Sequence, residues 1–401
     1  MTQHSPGLGP NWLQRSHDAG LGCYVHLPFC DRICPYCDFA VVQLKGHLVE
    51  RYLDALCKEI ESYAGERAGL QTLYFGGGTP SALQPAQLAR LATLIFNTFQ
   101  TKPGTLEFTL EANPARNSKD LVDWVAAGVN RLSIGVQSLR DDELHSLGRD
   151  HSAAQAIAFY EAARQAGLQN ISMDFIAGVP GQSVETLRSS LRRAAELGAD
   201  HVSVYGLTIE AGTPYAVWHE RDARAFPDDD AVAELLESAH DLLVAQGYEH
   251  YELSNFARPA FESAHNYGYW RQRDCAAFGM SAAGYDRGAR YRNLRDHDAY
   301  CAALENSASA RAGTEVLSSA ERLGEAAMLA LRTAAGIGYA DFQRRFSVDA
   351  RRVFARALKK CMDAGLLEAD ETGARLTSRG RLLANSVCAE FLTPELMTAT
   401  T

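Results

Sequence analysis

The sequence predicts an α/β protein: a partial (β/α)6 TIM-like barrel followed by a smaller, mainly α module with a winged-helix-like pattern. Three observations carry this. From Leu21 to about Leu253, short apolar segments alternate with amphipathic helical runs. Polar residues and glycines recur where the apolar segments end, the rim at which α/β barrels keep their chemistry. After Ser254 the alternation stops, and helices followed by a short hairpin take over.

Strands are expected near Cys23–Leu27, Gln71–Phe75, Leu106–Glu111, Arg131–Val136, Asn170–Phe175 and His201–Tyr205. They read as short, β-branched-rich and too apolar to alternate cleanly, as parallel strands covered by helices do. Helices are expected at Glu50–Tyr63, Pro85–Phe99, Ser118–Ala127, Ala153–Ala166 and Val184–Leu197. Aromatic and glycine-rich stretches follow at His265–Trp270, Phe278–Tyr285 and Arg290–Leu294. Ser318–Ala335 and Asp349–Ala364 then read as helices, Leu366–Leu376 as a hairpin turning at Glu371-Thr372-Gly373, and Thr377–Phe391 as a last helix capped by Ser378 or Thr377. The division expected is a tail at 1–20, a barrel at 21–255, a C-terminal module at 256–392 and a tail at 393–401.

Composition narrows the class. Across 401 residues, 46% are apolar and 22% charged, as in an ordinary globular protein. A net charge of -10 leaves no basic footprint for nucleic acid. Nine cysteines, an odd count, point to metal or core roles in a reducing compartment. Met1–Gly20 is polar and has no apolar leader segment. No run of about 18 apolar residues is present. A cytoplasmic location is expected.

The most specific chemistry lies at Cys30-Asp31-Arg32-Ile33-Cys34-Pro35-Tyr36-Cys37, a C-x3-C-x2-C pattern in the loop after the first strand. Three thiolates hold three irons of a [4Fe–4S] cluster and leave one iron open to a small molecule. A structural zinc site, by contrast, closes its shell with four ligands. The other readings of three nearby cysteines are core residues, or a zinc site completed by a distant histidine. Phe75-Gly76-Gly77-Gly78-Thr79-Pro80 follows the second strand, where glycines let backbone approach a ligand. Glu111-Ala112-Asn113-Pro114, Gly135-Val136-Gln137-Ser138, Gly148-Arg149-Asp150-His151 and Met173–Gly181 put polar groups at the ends of later strands.

The cysteine loop and its flanks, Tyr24–Phe29 and Asp38-Phe39, resemble the radical S-adenosylmethionine (SAM) superfamily, in which SAM chelates the open iron and is cleaved by one electron. The full set of motifs resembles one branch of it: oxygen-independent coproporphyrinogen III dehydrogenase and its relative, the heme chaperone HemW. The matching stretches are Tyr24–Phe39, Tyr74–Pro80, Glu111–Pro114, Gly135–Ser138, Gly148–His151 and Asp174–Gly181, with Tyr205–Pro214 less firmly. The resemblance implies Cys30, Cys34 and Cys37 as cluster ligands. It places Tyr24, Gly77, Gly78, Thr79, Glu111, Gln137, Arg149 and Asp174 at SAM, and Tyr36 on the adenine, where an aromatic ring gains by stacking.

Two features separate members of the branch. The dehydrogenase carries a fourth cysteine two residues after the third; here that position is Phe39, as in the HemW-like group. His265-Asn266-Tyr267-Gly268-Tyr269-Trp270 fits that group's H-N-x-x-Y-W signature. The resemblance makes His265 a heme-ligand candidate, since imidazole is a common axial ligand; His250 and His297 stay open, and so does a plain packing role. The dehydrogenase's longer N-terminal extension has no counterpart in the roughly 20 residues before the first strand. The expected function is therefore a heme-binding chaperone carrying a [4Fe–4S] cluster and SAM, which passes heme to acceptors such as respiratory hemoproteins. No residue is assigned a catalytic role. The alternatives are the dehydrogenase itself, decarboxylating porphyrinogen propionates, and a zinc-stabilised barrel. A homodimer and peripheral membrane association stay open.

Overall fold

The structure, a computed structural model, describes residues 20–116 and 118–394. The two expected tails fall almost wholly outside these residues. Six parallel strands run in chain order as neighbours: β1 (Leu21–Leu27), β2 (Leu70–Gly77), β3 (Glu107–Ala112), β4 (Arg131–Gln137), β5 (Asn170–Ala177) and β6 (His201–Gly206). Helices Gly46–Glu61, Pro85–Thr98, Leu121–Ala126, Ala153–Gln165 and Val184–Glu196 lie between them. Consecutive parallel pairing with helical crossovers is the winding of a barrel. The strands appear where the sequence places them, with ends shifted by at most two residues.

One expectation is corrected. The strands do alternate, and cleanly: Thr72-Leu73-Tyr74-Phe75, Glu107-Phe108-Thr109-Leu110-Glu111, Arg131-Leu132-Ser133-Ile134, Asn170-Ile171-Ser172-Met173-Asp174 and His201-Val202-Ser203-Val204-Tyr205. The apolar set faces the helices and forms the main core, with Phe75 edge-on to Phe108 at 4.9 Å. The polar set faces inward. Register keeps the inward residues level, pairing Tyr24 with Tyr74, Glu111 with Ser133 and Asp174 with Ser203. The barrel therefore has a polar interior, and one inward row carries the functional side chains.

The sheet does not stop at β6. Strands β7 (Glu249–Glu252) and β8 (Asn255–Ala257) extend it antiparallel beyond β6, and β9 (Cys275–Phe278) runs parallel to β1 on the other edge. β10 (Ala283–Asp286), β11 (Ala289–Asn293) and β12 (Arg311–Val316) complete twelve strands in one sheet. The expected boundary after residue 255 thus falls inside this sheet, and Phe256, Phe278, Tyr300 and Leu304 join the main core.

A second core runs from Leu323 to Phe391. Helix Ser319–Leu331 opens it behind a capping box, with Glu321 N–H donating to Ser318 Oγ at 3.3 Å. Tyr339–Phe346, missed in the sequence, follows. The expected helix at 349–364 is broken at Phe354, and the one at 377–391 is broken at Leu383. The hairpin is present as Leu367–Ala369 and Gly373–Leu376, joined by Ile337–Gly338 in a three-stranded sheet. Among the described residues no helix is long and apolar enough to cross a membrane.

Candidate functional site

The loop after β1 carries the three cysteines to the C-terminal mouth of the barrel. It is braced on both sides. Phe29–Cys30 pairs with Val42–Gln43, Asp31 forms an ion pair with Arg116, and Arg295 Nη2 donates to the Asp38 carbonyl at 3.0 Å. From below, His26 Nε2–H donates to the Ala40 carbonyl at 2.8 Å, which leaves Nδ1 to accept from the Tyr24 hydroxyl at 3.1 Å. All three cysteines are free thiols.

Two neighbours point donors at the sulfurs: Thr79 Oγ1 donates to Cys30 Sγ at 3.4 Å, and Arg149 Nη1 to Cys34 Sγ at 3.5 Å. Burial pushes the Cys30 thiol up to about 11, and Cys37 and Cys34 add to the rise. Burial raises Cys37 as well. Iron must displace these protons, so metal and folding are coupled here. Among the described residues no three His, Cys, Asp or Glu side chains close around a single ion.

The glycine run supplies a cradle. A Cβ on Gly78 would lie 2.6 Å from the Pro28 carbonyl, and one on Gly77 (φ 115°) 2.6 Å from the His26 ring. Only hydrogen at these positions lets β2 come this close to the cysteine loop. Backbone holds the junction: Gly78 N–H donates to the Leu27 carbonyl and Thr79 N–H to Phe29, both at 2.9 Å.

The acidic residues lie just beneath. Glu111 is enclosed, accepting from Tyr74 Oη at 2.8 Å and from Gly77 N–H at 3.0 Å. Burial pushes its carboxyl up to about 7, against the pull of those two donors and with help from Asp174. Asp174 accepts from three serine hydroxyls, Ser133 and Ser172 at 2.7 Å and Ser203 at 2.8 Å. Gln137 holds a left-handed backbone (φ 65°) where the β4–β5 register slips, the kind of strain that collects at functional sites. Arg149 Nη2 donates to the Gly135 carbonyl at 3.1 Å, its Nε is buried without a partner, and a Cβ on Gly135 would reach Gln137 Nε2 at 3.0 Å. Tyr36 is half-buried, and its ring lies 6.0 Å from that of Tyr215.

These side chains therefore gather at one mouth, and they fit a cluster with SAM: three thiols, a backbone cradle, a carboxylate pair for ribose or amino groups and an aromatic ring for a base. Such a pair, when bound, supplies one-electron chemistry. The chain's own part would be to position it, with Arg149 Nη1 donating to Cys34 Sγ and Glu111 held by Tyr74 and the Gly77 N–H.

His265 is not at the mouth. It sits 3% exposed at the opposite end, on helix Ala264–Trp270, which plugs the barrel floor. Its backbone N–H and that of Ala264 donate to Glu107 at 2.9 Å. Its Nδ1 meets Thr72 Oγ1 and its Nε2 meets Tyr269 Oη, both at 2.8 Å, and its ring stacks on Tyr74 at 5.0 Å. Burial lowers it to about 3. Both nitrogens are engaged in an enclosed space, so the ring as placed has no electron pair to offer an iron. The sequence offers His265 as a heme-ligand candidate or a packing residue; as placed, it is packed, with both ring nitrogens hydrogen-bonded. The sequence reading missed Tyr74, Ser133, Ser172, Ser203 and Tyr215. The first four occupy inward positions of strand alternation, a signal that was there to be used.

Comparison with known proteins agrees with this arrangement. The radical SAM superfamily model matches residues 24–194, and the HemN C-terminal domain model matches 317–383, on the second core. A protein named heme chaperone HemW from Lactococcus lactis subsp. lactis (strain IL1403) is 35% identical over 385 residues, covering 96% of this chain and 99% of that protein. One of the same name from Bacillus subtilis (strain 168) is 34% identical over 372 residues, covering 92% and 98%. The solved coproporphyrinogen III oxidase HemN from Escherichia coli, a radical SAM enzyme, superposes with a TM-score of 0.82 at 27% identity, covering 95% of this chain and 92% of that one. Three thiols on one loop, a glycine cradle opposite them and near-complete coverage by these relatives place the chain in the radical SAM superfamily and, within it, in the HemW family.

Proposed function

We propose that this protein binds heme and delivers it to acceptor hemoproteins, holding a [4Fe–4S] cluster on Cys30, Cys34 and Cys37 and SAM between Tyr36, Gly77, Gly78, Thr79, Glu111, Gln137, Arg149 and Asp174, with Tyr24 supporting the loop from below. Phe39 carries the reading. It stands where the dehydrogenase branch has a further cysteine, and it is 69% exposed at the lip of the mouth, an apolar side chain offered to solvent where that branch keeps a thiol. The names of the Lactococcus and Bacillus relatives support the same assignment. The structural likeness to HemN favours a second reading, oxidative decarboxylation of porphyrinogen propionates.

One experiment separates them. The protein is purified anaerobically, its cluster is reconstituted, and SAM is added with either coproporphyrinogen III or heme. Stoichiometric heme uptake with unchanged porphyrinogen is expected; conversion of the porphyrinogen overturns the chaperone reading. A cytoplasmic location, a homodimer and peripheral membrane contact belong to this reading and are tested by fractionation, sedimentation and vesicle co-flotation.

A further inference from the structure

Heme delivery needs an iron ligand, and His265 is enclosed. Of twelve histidines, His4 and His17 lie outside the described residues. Among the ten described, His26, His201, His240, His250 and His265 have both ring nitrogens hydrogen-bonded. His151 and His297 each have one nitrogen bonded and the other sealed from solvent. That leaves His47, His145 and His219, none with a hydrogen bond among the described residues. His47 and His145 are exposed on polar ground, beside Lys45 and Glu50 in one case and Asp141 and Asp142 in the other.

His219 is different. It lies on helix Pro214–Arg221, half-buried, with its ring edge-on to Phe226 at 5.5 Å. Phe226 and Trp218 each pack on Tyr215, with ring centres 5.3 Å apart in both contacts. Val217 and Trp218 remain 45% and 44% exposed, apolar area that water solvates at a cost. Arg221 and Arg224 follow, both exposed, the second 3.3 Å from Asp222. A half-buried imidazole without a hydrogen bond among the described residues, exposed apolar area on Val217 and Trp218 and two nearby guanidinium groups together match the needs of an iron porphyrin: one axial nitrogen, cover for the macrocycle and partners for two propionates.

We propose that heme docks on this face with His219 as an axial iron ligand, Trp218 and Phe226 against the macrocycle, and Arg221 and Arg224 at the propionates. The proposal rests on the heme-trafficking reading above. The face is tied to the cysteine loop: Tyr215 N–H donates to the Pro35 carbonyl at 3.1 Å, and its ring meets Tyr36. Cargo and cluster are thereby neighbours without sharing ligands.

The test is a titration of the full chain with ferric heme, followed at the Soret band. His219→Ala is expected to lose the imidazole-ligated band and to bind at least about tenfold more weakly, with the band restored by added imidazole. His219→Met, which keeps an iron ligand, is expected to shift the band and retain binding. Trp218→Ser is expected to weaken binding with the band unmoved, and His47→Ala and His145→Ala to behave as the parent. Circular dichroism confirms that each variant is folded. If His219→Ala keeps the parental band and affinity, this site is wrong and the heme reading survives. If the parent protein takes up no heme, the reading itself is lost and the site with it.

Discussion

Glu111 shows how one residue ties burial to ligand charge. Its carboxyl is raised to about 7 by desolvation, with Asp174 adding to it. The folded chain therefore holds an extra proton between the ordinary carboxylate range and pH 7. The stability this gives is present at low pH and lost as pH rises through that window. A cationic ligand such as SAM set against Glu111 favours the anion and expels the proton. Calorimetric titration with SAM near pH 7, in two buffers of different ionisation heat, is expected to show proton release. Glu111→Gln should abolish the release and weaken SAM about tenfold or more, through loss of a charged hydrogen-bonding partner. Equal heats in both buffers for the parent protein would remove Glu111 from the site. Gly78 makes a steric counterpart. A Cβ there meets the Pro28 carbonyl at 2.6 Å, and backbone cannot rotate away. Gly78→Ala is expected to lower unfolding stability by about 1–3 kcal/mol and to cut SAM affinity, both measured on the same preparation.

At the scale of elements, the helix Ala264–Trp270 is the least expected feature. Only His265 and Gly268 of it are buried, and the His265 ring is held by Thr72, Tyr74 and Tyr269 while Glu107 accepts from its backbone. Its motif reads as a ligand signature in the sequence, and the surroundings that decide otherwise come from strands more than 150 residues earlier. His265→Ala leaves a cavity, takes from Thr72 Oγ1 its imidazole partner and leaves Tyr269 Oη only the long contact to Cys275 Sγ, so a loss of about 2–4 kcal/mol is expected in chemical denaturation. An unchanged denaturation midpoint would show that the plug carries no stability. The six βα units, in contrast, were legible, because each strand buries an apolar face against its own neighbouring helix, a local pattern. The cysteine loop and glycine run were legible for a similar reason: their chemistry sits in contiguous residues. The edge strands β7 to β12 were not. They are short; β8 and β9 are strands through pairing with β6 and β1, which lie far away in the chain, and β7 and β10 to β12 are added onto those two as edge strands. The serine cage of Asp174 was written in the alternation of β4, β5 and β6, and was hidden by reading those strands as uniformly apolar.

At the scale of the whole molecule, the two larger cores meet along a seam at Tyr251–Leu253. Leu253 packs into the second core, its N–H donates to the Arg332 carbonyl at 3.0 Å, and Ala334 N–H donates to Tyr251 at 3.0 Å. The seam also contains a chain of hydrogen bonds whose direction is forced. His250 Nε2 faces the Leu253 carbonyl at 3.1 Å, so it carries the proton. Neutral His250 then accepts at Nδ1 from His240 Nδ1–H at 3.0 Å, and His240 accepts at Nε2 from Arg381 Nη2 at 3.4 Å. Protonating either imidazole sets two donors face to face. Burial, chiefly, lowers His250 to about 4; it also lowers His240, and the Arg381 charge acts in the same direction on both, while Asp241 opposes it at His240, and Glu237 and Glu368 lie around Arg381. Folded values below the unfolded value mean that this stability is present above about pH 6.5 and is lost as pH falls toward 4. For His250 the loss at pH 5 comes to about 1–2 kcal/mol. His201 and His265 contribute acid sensitivity of their own, so the informative quantity is a difference between proteins. Unfolding free energies at pH 7.5 and pH 5 are expected to differ less in His250→Gln than in the parent, by about that amount. Identical pH dependence in the two proteins would mean that the seam holds by packing alone and that the imidazole chain adds nothing to it.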